Sequence, residues 1–318
     1  MKIHWKEIIS IAILTLVLPV LMLNTARILR HREPAGQTEP PETTQTAEGT
    51  SPVMIRVLTE DGSVVSMELE EYLVGVVLGE MPADFELEAL KAQAVVARTY
   101  TLRMCRNTVK HPDADVCIRA DCCQSYRAGE SDRIRAAVEA TAGQVLTYGG
   151  DLIEATYFSS AGGRTEDAAA VWGSDVPYLQ STDSPERGYA DQYLDTVTFT
   201  AEEFEAALGI PLDGPCALWL GAVTYTDGGG VDTMKIGGTE FKGTELRKLL
   251  GLRSTAMVMT AVGDHITVTT RGFGHRVGMS QYGAEAMAVD GATYEEILAH
   301  YYHGTTLELF VDKESGIG

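Results

Sequence analysis

One carboxylate in this chain stands where acid chemistry would want it. In LEEYLVGVVLGEMP the apolar residues Leu69, Leu73, Val76 and Val77 recur at spacings of three and four, the stripe of an amphipathic helix. Glu80 continues that stripe, three residues beyond Val77 and four beyond Val76. A carboxyl group on the core-facing side of a helix loses water, and desolvation favours its protonated form. Such a group is a poised acid, and Pro82 ends its helix directly afterwards.

The loop HPDADVCIRADCCQSY offers a second chemistry. His111, Cys117 and Cys123 are spaced by six and six in a segment rich in Asp, which suits a loop folded around a metal ion. Zinc accepts imidazole and thiolate, and three protein ligands would leave a fourth position for water or substrate. Cys122 is an alternative fourth ligand that would close the site, although adjacent cysteines rarely share one tetrahedral ion. A disulfide from Cys117 to Cys122 or Cys123 is the competing reading in an oxidising compartment. Cys105 and Cys216 have no evident mates and read as small buried residues.

Two glycine-rich segments could shape a groove. In RGFGHRVGMSQYGAEAMA, Gly272, Gly274 and Gly278 surround His275 and lead into a helix, so backbone can approach a ligand closely. FSSAGG, with Ser159 and Ser160, is either a groove wall or a tight turn. Motifs for nucleophilic, phosphate-binding or HExxH zinc chemistry are missing from the chain. A lone desolvated acid beside small polar residues points to acid catalysis on a neutral polymer such as a glycan. Glycosidases ordinarily pair two carboxylates. One is enough where the substrate brings its own nucleophile, as when the 6-hydroxyl of muramic acid closes a 1,6-anhydro ring without water. That is the chemistry of a lytic transglycosylase.

The elements that must position these groups are legible in outline. VMIRVLTEDGSVVSMELE alternates around Asp61-Gly62 and predicts a β-hairpin. After the Glu80 helix, FELEALKAQAVVARTYTLRMC predicts a long helix whose stripe of Leu87, Leu90, Ala94 and Ala97 admits close neighbours. DRIRAAVEATAG reads as a helix closed by Gly143, and QVLTYGGDLIEATYFSSAGG as a hairpin turning on Gly149-Gly150. Strands are expected at VTFT, VTYTDGGGVDTMKIGG and MVMTAVGDHITVTTRGFGH, with short helices at AEEFEAALG, GTELRKLLG and YEEILAHYYHG. The fold class is mixed α+β, with mostly antiparallel sheets and helices forming a substrate groove.

A chain of 318 residues with 45% apolar content can bury a sizeable core. Its formal charge of −20 argues against nucleic acid, whose phosphates are bound by Lys and Arg. Residues 8–26 contain the uncharged run IISIAILTLVLPVLML and predict a transmembrane anchor behind a short segment 1–7. Residues 27–52, rich in Pro, Glu and Thr, predict a disordered tether. The soluble domain then spans 53–310, and 311–318 is a tail. The expected location is the cell membrane, single-pass, with the soluble domain outside the cytoplasm.

LEEYLVGVVLGEMPADFELEALKAQAVVARTY, HPDADVCIRADCCQSY, YFSSAGG and GFGHRVGMSQYGAEAMA together resemble the stage II sporulation protein D family. The resemblance implies a membrane-anchored murein lytic transglycosylase of endospore formers, facing the intermembrane space from the mother cell's engulfing membrane. Its substrate would be peptidoglycan glycan strands stripped of stem peptides by the amidase stage II sporulation protein P, in a complex with protein M. Glu80 matches the family's catalytic acid, and His111, Cys117 and Cys123 match zinc ligands of some members. Arg98 falls at a position used near substrate, where it could hold the muramoyl lactate carboxylate. Ser159, Ser160, His275 and Gln281 are the further candidate substrate contacts. Two positions depart from the family pattern: Arg276 stands where glycine is usual, and Cys122 where a non-ligand residue is. A related domain in amidase enhancers, which bind cell wall and stimulate a hydrolase, gives an alternative function. A third reading makes the zinc catalytic, as in a metallo-amidase.

Overall fold

The computed structural model describes residues 52–107, 110–186 and 193–311. The anchor predicted over 8–26 and nearly all of the predicted tether and tail lie outside the described residues. Among the described residues, no helix is long and apolar enough to cross a membrane.

The chain is mixed α+β. Strands β1 (Met54–Leu58) and β2 (Val64–Glu68) form the expected hairpin, and helix α1 (Leu69–Glu80) follows directly. Helix α2 (Leu87–Asn107) is next, then β3 (Val116–Cys117), α3 (Asp132–Ala140), β4 (Gln144–Tyr148), β5 (Asp151–Leu152), β6 (Tyr157–Phe158) and α4 (Ala168–Trp172). A second half runs β7 (Leu194–Thr200), α5 (Ala201–Leu208), β8 (Leu220–Tyr225), β9 (Val231–Ile236), β10 (Thr239–Lys242), α6 (Gly243–Leu249), β11 (Met257–Val262) and β12 (His265–Arg271). The chain then returns with β13 (Met279–Ser280), α7 (Gln281–Val289), α8 (Tyr294–Tyr301) and β14 (Thr306–Leu309).

Helix α2 is the axle of the first core. Ala89, Ala92, Ala94 and Ala97 are fully buried, and their small side chains let α1, α3, α7, α8 and β4 all pack against one helix. The second core gathers Phe204, Trp219, Ile236, Phe241, Leu246, Ile266 and Val268 beneath the antiparallel sheets β10-β9-β8 and β11-β12-β7. The hairpin β4–β5 turns where predicted, with Gly149 and Gly150 at φ 62° and 89°; positive φ at both central residues is the twist-matched two-residue turn.

The expected hairpin ends early, however. Residues Tyr157 and Phe158 leave it and pair in parallel with β13, Met279 opposite Tyr157 and Ser280 opposite Phe158. This short crossover joins YFSSAGG to GMSQ across more than a hundred residues of sequence. It is the architectural step that builds the site.

Candidate active site

Glu80 closes α1 with its side chain turned inward, where three polar groups meet it. The Ser125 backbone N–H donates to Oε1 at 2.7 Å, Gln281 Nε2 donates to Oε2 at 3.3 Å, and the Tyr157 hydroxyl lies within hydrogen-bond distance of Oε1 at 3.1 Å. Burial pushes this carboxyl above its usual range, and the three hydrogen bonds act in the opposite direction without cancelling the effect. Among the described residues, no second carboxylate acts on it. The inward stripe of α1 therefore places Glu80 where burial favours its protonated form.

Each of these groups has a structural cause. Gly79 lets the 125–127 segment lie against α1, because a Cβ there would sit 2.9 Å from the carbonyl carbon of Ser125. Arg127 N–H then binds Gly75 O at 3.0 Å and holds that segment on the helix. Tyr157 arrives on β6, and Gln281 opens α7, whose N-cap is the Ser280 side chain.

The metal loop ends two residues before Ser125. His111 Nε2 lies 3.6 Å from Cys122 Sγ and 3.5 Å from Cys123 Sγ, and the two sulfurs are 3.9 Å apart. With Cys117, these donor atoms all lie within 4.8 Å of one another. A tetrahedral zinc with bonds of about 2.3 Å to sulfur and 2.0 Å to nitrogen spaces its donors ~3.5–3.8 Å apart, which His111, Cys122 and Cys123 match and to which Cys117 is close enough to be drawn in. Cys122 thus joins the predicted trio, and a metal held by all four would have no open position. All five cysteines are free thiols, so the alternative disulfide is absent. Cys216 is buried as expected, whereas Cys105 is exposed.

Several predicted substrate contacts have other work. Arg98 is fully buried on α2: its Nε and Nη2 pair with Glu70 at 2.9 and 2.6 Å, Nη1 binds Gln144 O and Nη2 also binds Val138 O. It ties α2 to α1, α3 and β4, and its complete burial keeps it from a lactate carboxylate. Arg98→Leu is therefore expected to lower the melting temperature by several degrees. The turnover of the folded fraction should stay unchanged, measured by activity normalised to folded protein.

Ser160 is also buried, and it donates to Glu186 at 2.5 Å. His275 is packed between Phe158 and Trp172, and its Nδ1 accepts from Val277 N–H at 3.1 Å. Burial and nearby Arg247 push its pKa down to about 4, so the ring is neutral at pH 7. It shapes the glycine-rich turn. Gln281 does reach the site, but on the acid. Ser159 is half-buried, and its carbonyl accepts from Tyr282 N–H at 3.0 Å.

Arg276 keeps the turn that glycine would make, at φ 67°. Its buried guanidinium pairs with Glu166 at 3.0 Å and binds the carbonyls of Ala161, Arg164 and Gly228.

Sequence reasoning missed Tyr157, Gln124, Ser125 and Glu186. Glu186 is buried and accepts from Ser160, Ser184, Ser280, Ala161 N–H and Gly162 N–H, so one carboxylate ties the SSAGG loop to the start of α7. Its surroundings in SPERGY carry no local signal.

Comparison with known proteins places this site in context. The profile of the Stage II sporulation protein family (SpoIID) matches residues 59–148, the span holding Glu80 and the His/Cys cluster. Stage II sporulation protein D of Bacillus subtilis (strain 168) is 44% identical over 274 residues, 81% of this chain and 79% of that protein. The protein of the same name from Bacillus amyloliquefaciens is 41% identical over 276 residues, with the same coverage. The amidase enhancer of Bacillus subtilis (strain 168) is 33% identical over 297 residues, 74% of this chain but 40% of its own length. Taken with the ordered motifs around Glu80, these likenesses mean that the chain belongs to the stage II sporulation protein D family.

Proposed function

We propose that this protein is a peptidoglycan lytic transglycosylase in which Glu80 is both acid and base. The observation that supports it is a single desolvated carboxyl whose partners are a backbone N–H, a phenol and an amide. A retaining or inverting glycosidase would need a second carboxylate in range. In the proposed reaction, protonated Glu80 gives its proton to the glycosidic oxygen leaving N-acetylmuramic acid, and the bond from that oxygen to the anomeric carbon breaks. The muramic 6-hydroxyl bonds to the same carbon, and its proton passes to the Glu80 carboxylate, which restores the acid. Water is neither consumed nor released.

A raised pKa suits the first step, since the group must hold its proton at working pH. Product release should therefore fall as pH rises through the Glu80 pKa, with an alkaline limb above the usual carboxyl range. A pH–rate profile on peptide-free strands checks this, and a limb at the ordinary carboxyl value would speak against it.

The cluster of His111, Cys117, Cys122 and Cys123 is proposed to hold zinc, which would cross-link the loop and carry Ser125 to the acid and Gln124 to Tyr157. Four ligands make a closed, structural site, and this disfavours the metallo-amidase reading. Chelation should lower melting temperature and product release together. A loss of activity at unchanged melting temperature would contradict a structural role.

The wider proposal is a membrane-anchored enzyme acting in sporulation on strands stripped by an amidase such as stage II sporulation protein P, together with protein M. The likeness to an amidase enhancer supports a second reading, a cell-wall-binding module that stimulates an amidase. Purified protein mixed with peptide-free strands separates the two. The enzyme releases anhydromuramyl fragments alone, whereas the enhancer leaves the strands intact and accelerates an added amidase.

A further inference from the structure

Behind Glu80 a line of polar side chains runs into the first core. The Tyr157 hydroxyl lies 3.1 Å from Glu80 Oε1 and also 3.1 Å from Gln124 Oε1. Gln124 Nε2 donates to Thr101 Oγ1 at 2.8 Å, and Thr101 donates its own hydrogen to the Ala97 carbonyl at 2.8 Å. Gln124 is 1% exposed and Thr101 is fully buried, so water does not substitute along the line.

The direction of this chain is fixed from its far end. The Ala97 carbonyl can only accept, so Thr101 donates to it and offers Gln124 a lone pair. The amide of Gln124 must then face Thr101 with its nitrogen and Tyr157 with its oxygen. Tyr72, also hydrogen-bonded to Gln124, has its own hydroxyl directed at the Cys117 carbonyl. Tyr157 is left with one hydrogen and two acceptors. If it donates to Glu80, the buried Gln124 oxygen faces a lone pair. If it donates to Gln124, it offers Glu80 a lone pair, and only a protonated carboxyl can fill that.

We propose that Gln124 and Thr101 are positioning residues for the acid: they turn the Tyr157 hydroxyl away from Glu80, so that the buried chain is complete only when Glu80 carries its proton. This rests on Glu80 being the acid of the proposed reaction. The other titratable side chains acting on Tyr157 are Tyr72 from α1 and Tyr100 from α2, while His275 beyond it is hydrogen-bonded to the Tyr157 backbone. Gln281, on α7, and the Ser125 N–H meet Glu80 itself.

The test is a carboxyl carbon-13 NMR titration of Glu80 in the full-length chain, its signal assigned by its loss in Glu80→Gln. Removing the competing acceptor with Gln124→Met frees Tyr157 to donate to the carboxylate. The Glu80 midpoint should fall by about one pH unit, the scale of one hydrogen bond to a charged group. Thr101→Val, which lets the Gln124 amide turn over, should shift it the same way, and Thr101→Ser should restore it. Tyr157→Phe removes the lone pair that the protonated carboxyl fills and should also lower the midpoint. In that background, Gln124→Met should have no further effect.

An unmoved midpoint in both Gln124→Met and Thr101→Val would overturn the proposal. So would an equal shift from Gln124→Met with and without the Tyr157 hydroxyl, because a general loosening of the loop would not pass through that one group. The titration does not depend on turnover. If the midpoints move as described while wild-type protein yields no anhydromuramyl product, the catalytic reading fails and this one stands.

Discussion

Glu80→Gln should cut release of anhydromuramyl products from peptide-free strands by roughly a hundred- to ten-thousand-fold, the usual contribution of a positioned acid–base group. The variant should not lose stability at neutral pH. In the folded chain, the Glu80 pKa is raised by burial, so the folded state binds its proton more tightly than the unfolded state. Stability from this group is fully present below the unfolded carboxyl pKa and is lost as pH rises through the folded value. Gln cannot ionise and escapes that loss. Its oxygen can still accept from the Ser125 N–H, and Gln281 can turn its amide to meet the new nitrogen. Melting curves at pH 5 and pH 8 check the sign: wild type should lose stability relative to Glu80→Gln across that interval. A variant that melts early at pH 8 would show that the carboxylate holds the fold, and its lost activity would then say little about catalysis.

The second large effect is on stability. Arg276→Gly relieves a left-handed backbone that costs an arginine about 1 kcal/mol. It nevertheless removes the cation from a pair in which both side chains are almost entirely buried. Glu166 would keep only the Gly230 N–H at 3.0 Å, and the carbonyls of Ala161, Arg164 and Gly228 would each lose a donor. Breaking a buried pair by removing one partner costs about 3–5 kcal/mol. The net loss of about 2–4 kcal/mol should lower the melting temperature by on the order of 5–10 °C. Calorimetry decides it. An unchanged or higher melting temperature would mean that backbone strain outweighs the pair. Such a result would also make it hard to explain why this chain tolerates arginine at the position.

The parts of the site that could be read from the sequence are those set by local periodicity. Helix α1 begins and ends at the residues its stripe predicts, and Glu80 faces inward because it continues the stripe of Val76 and Val77. Arg98 shows the same rule ignored. It lies four residues beyond Ala94 and so on the buried side of α2, but its charge invited a substrate role and its partner Glu70 is remote in sequence. Tyr157 and Gln281 meet Glu80 across separations of 77 and 201 residues. Only the parallel pairing of β6 with β13 brings them there, and a pair of two-residue strands leaves no periodic trace. Cys122 was discounted on the strain of adjacent ligands, yet the turn after Arg119, where both Cys122 and Cys123 N–H groups bind its carbonyl, points both sulfurs at His111.

In the proposed reaction, one protonated carboxyl opens the glycosidic bond while the sugar's own hydroxyl closes the ring. Digesting peptide-free strands with wild-type protein in water enriched in heavy oxygen, followed by mass spectrometry of the fragments, tests this most directly. Muramyl ends should be lighter by one water than a hydrolysed product and carry none of the label. Ends of hydrolysed mass bearing the heavy oxygen would contradict it.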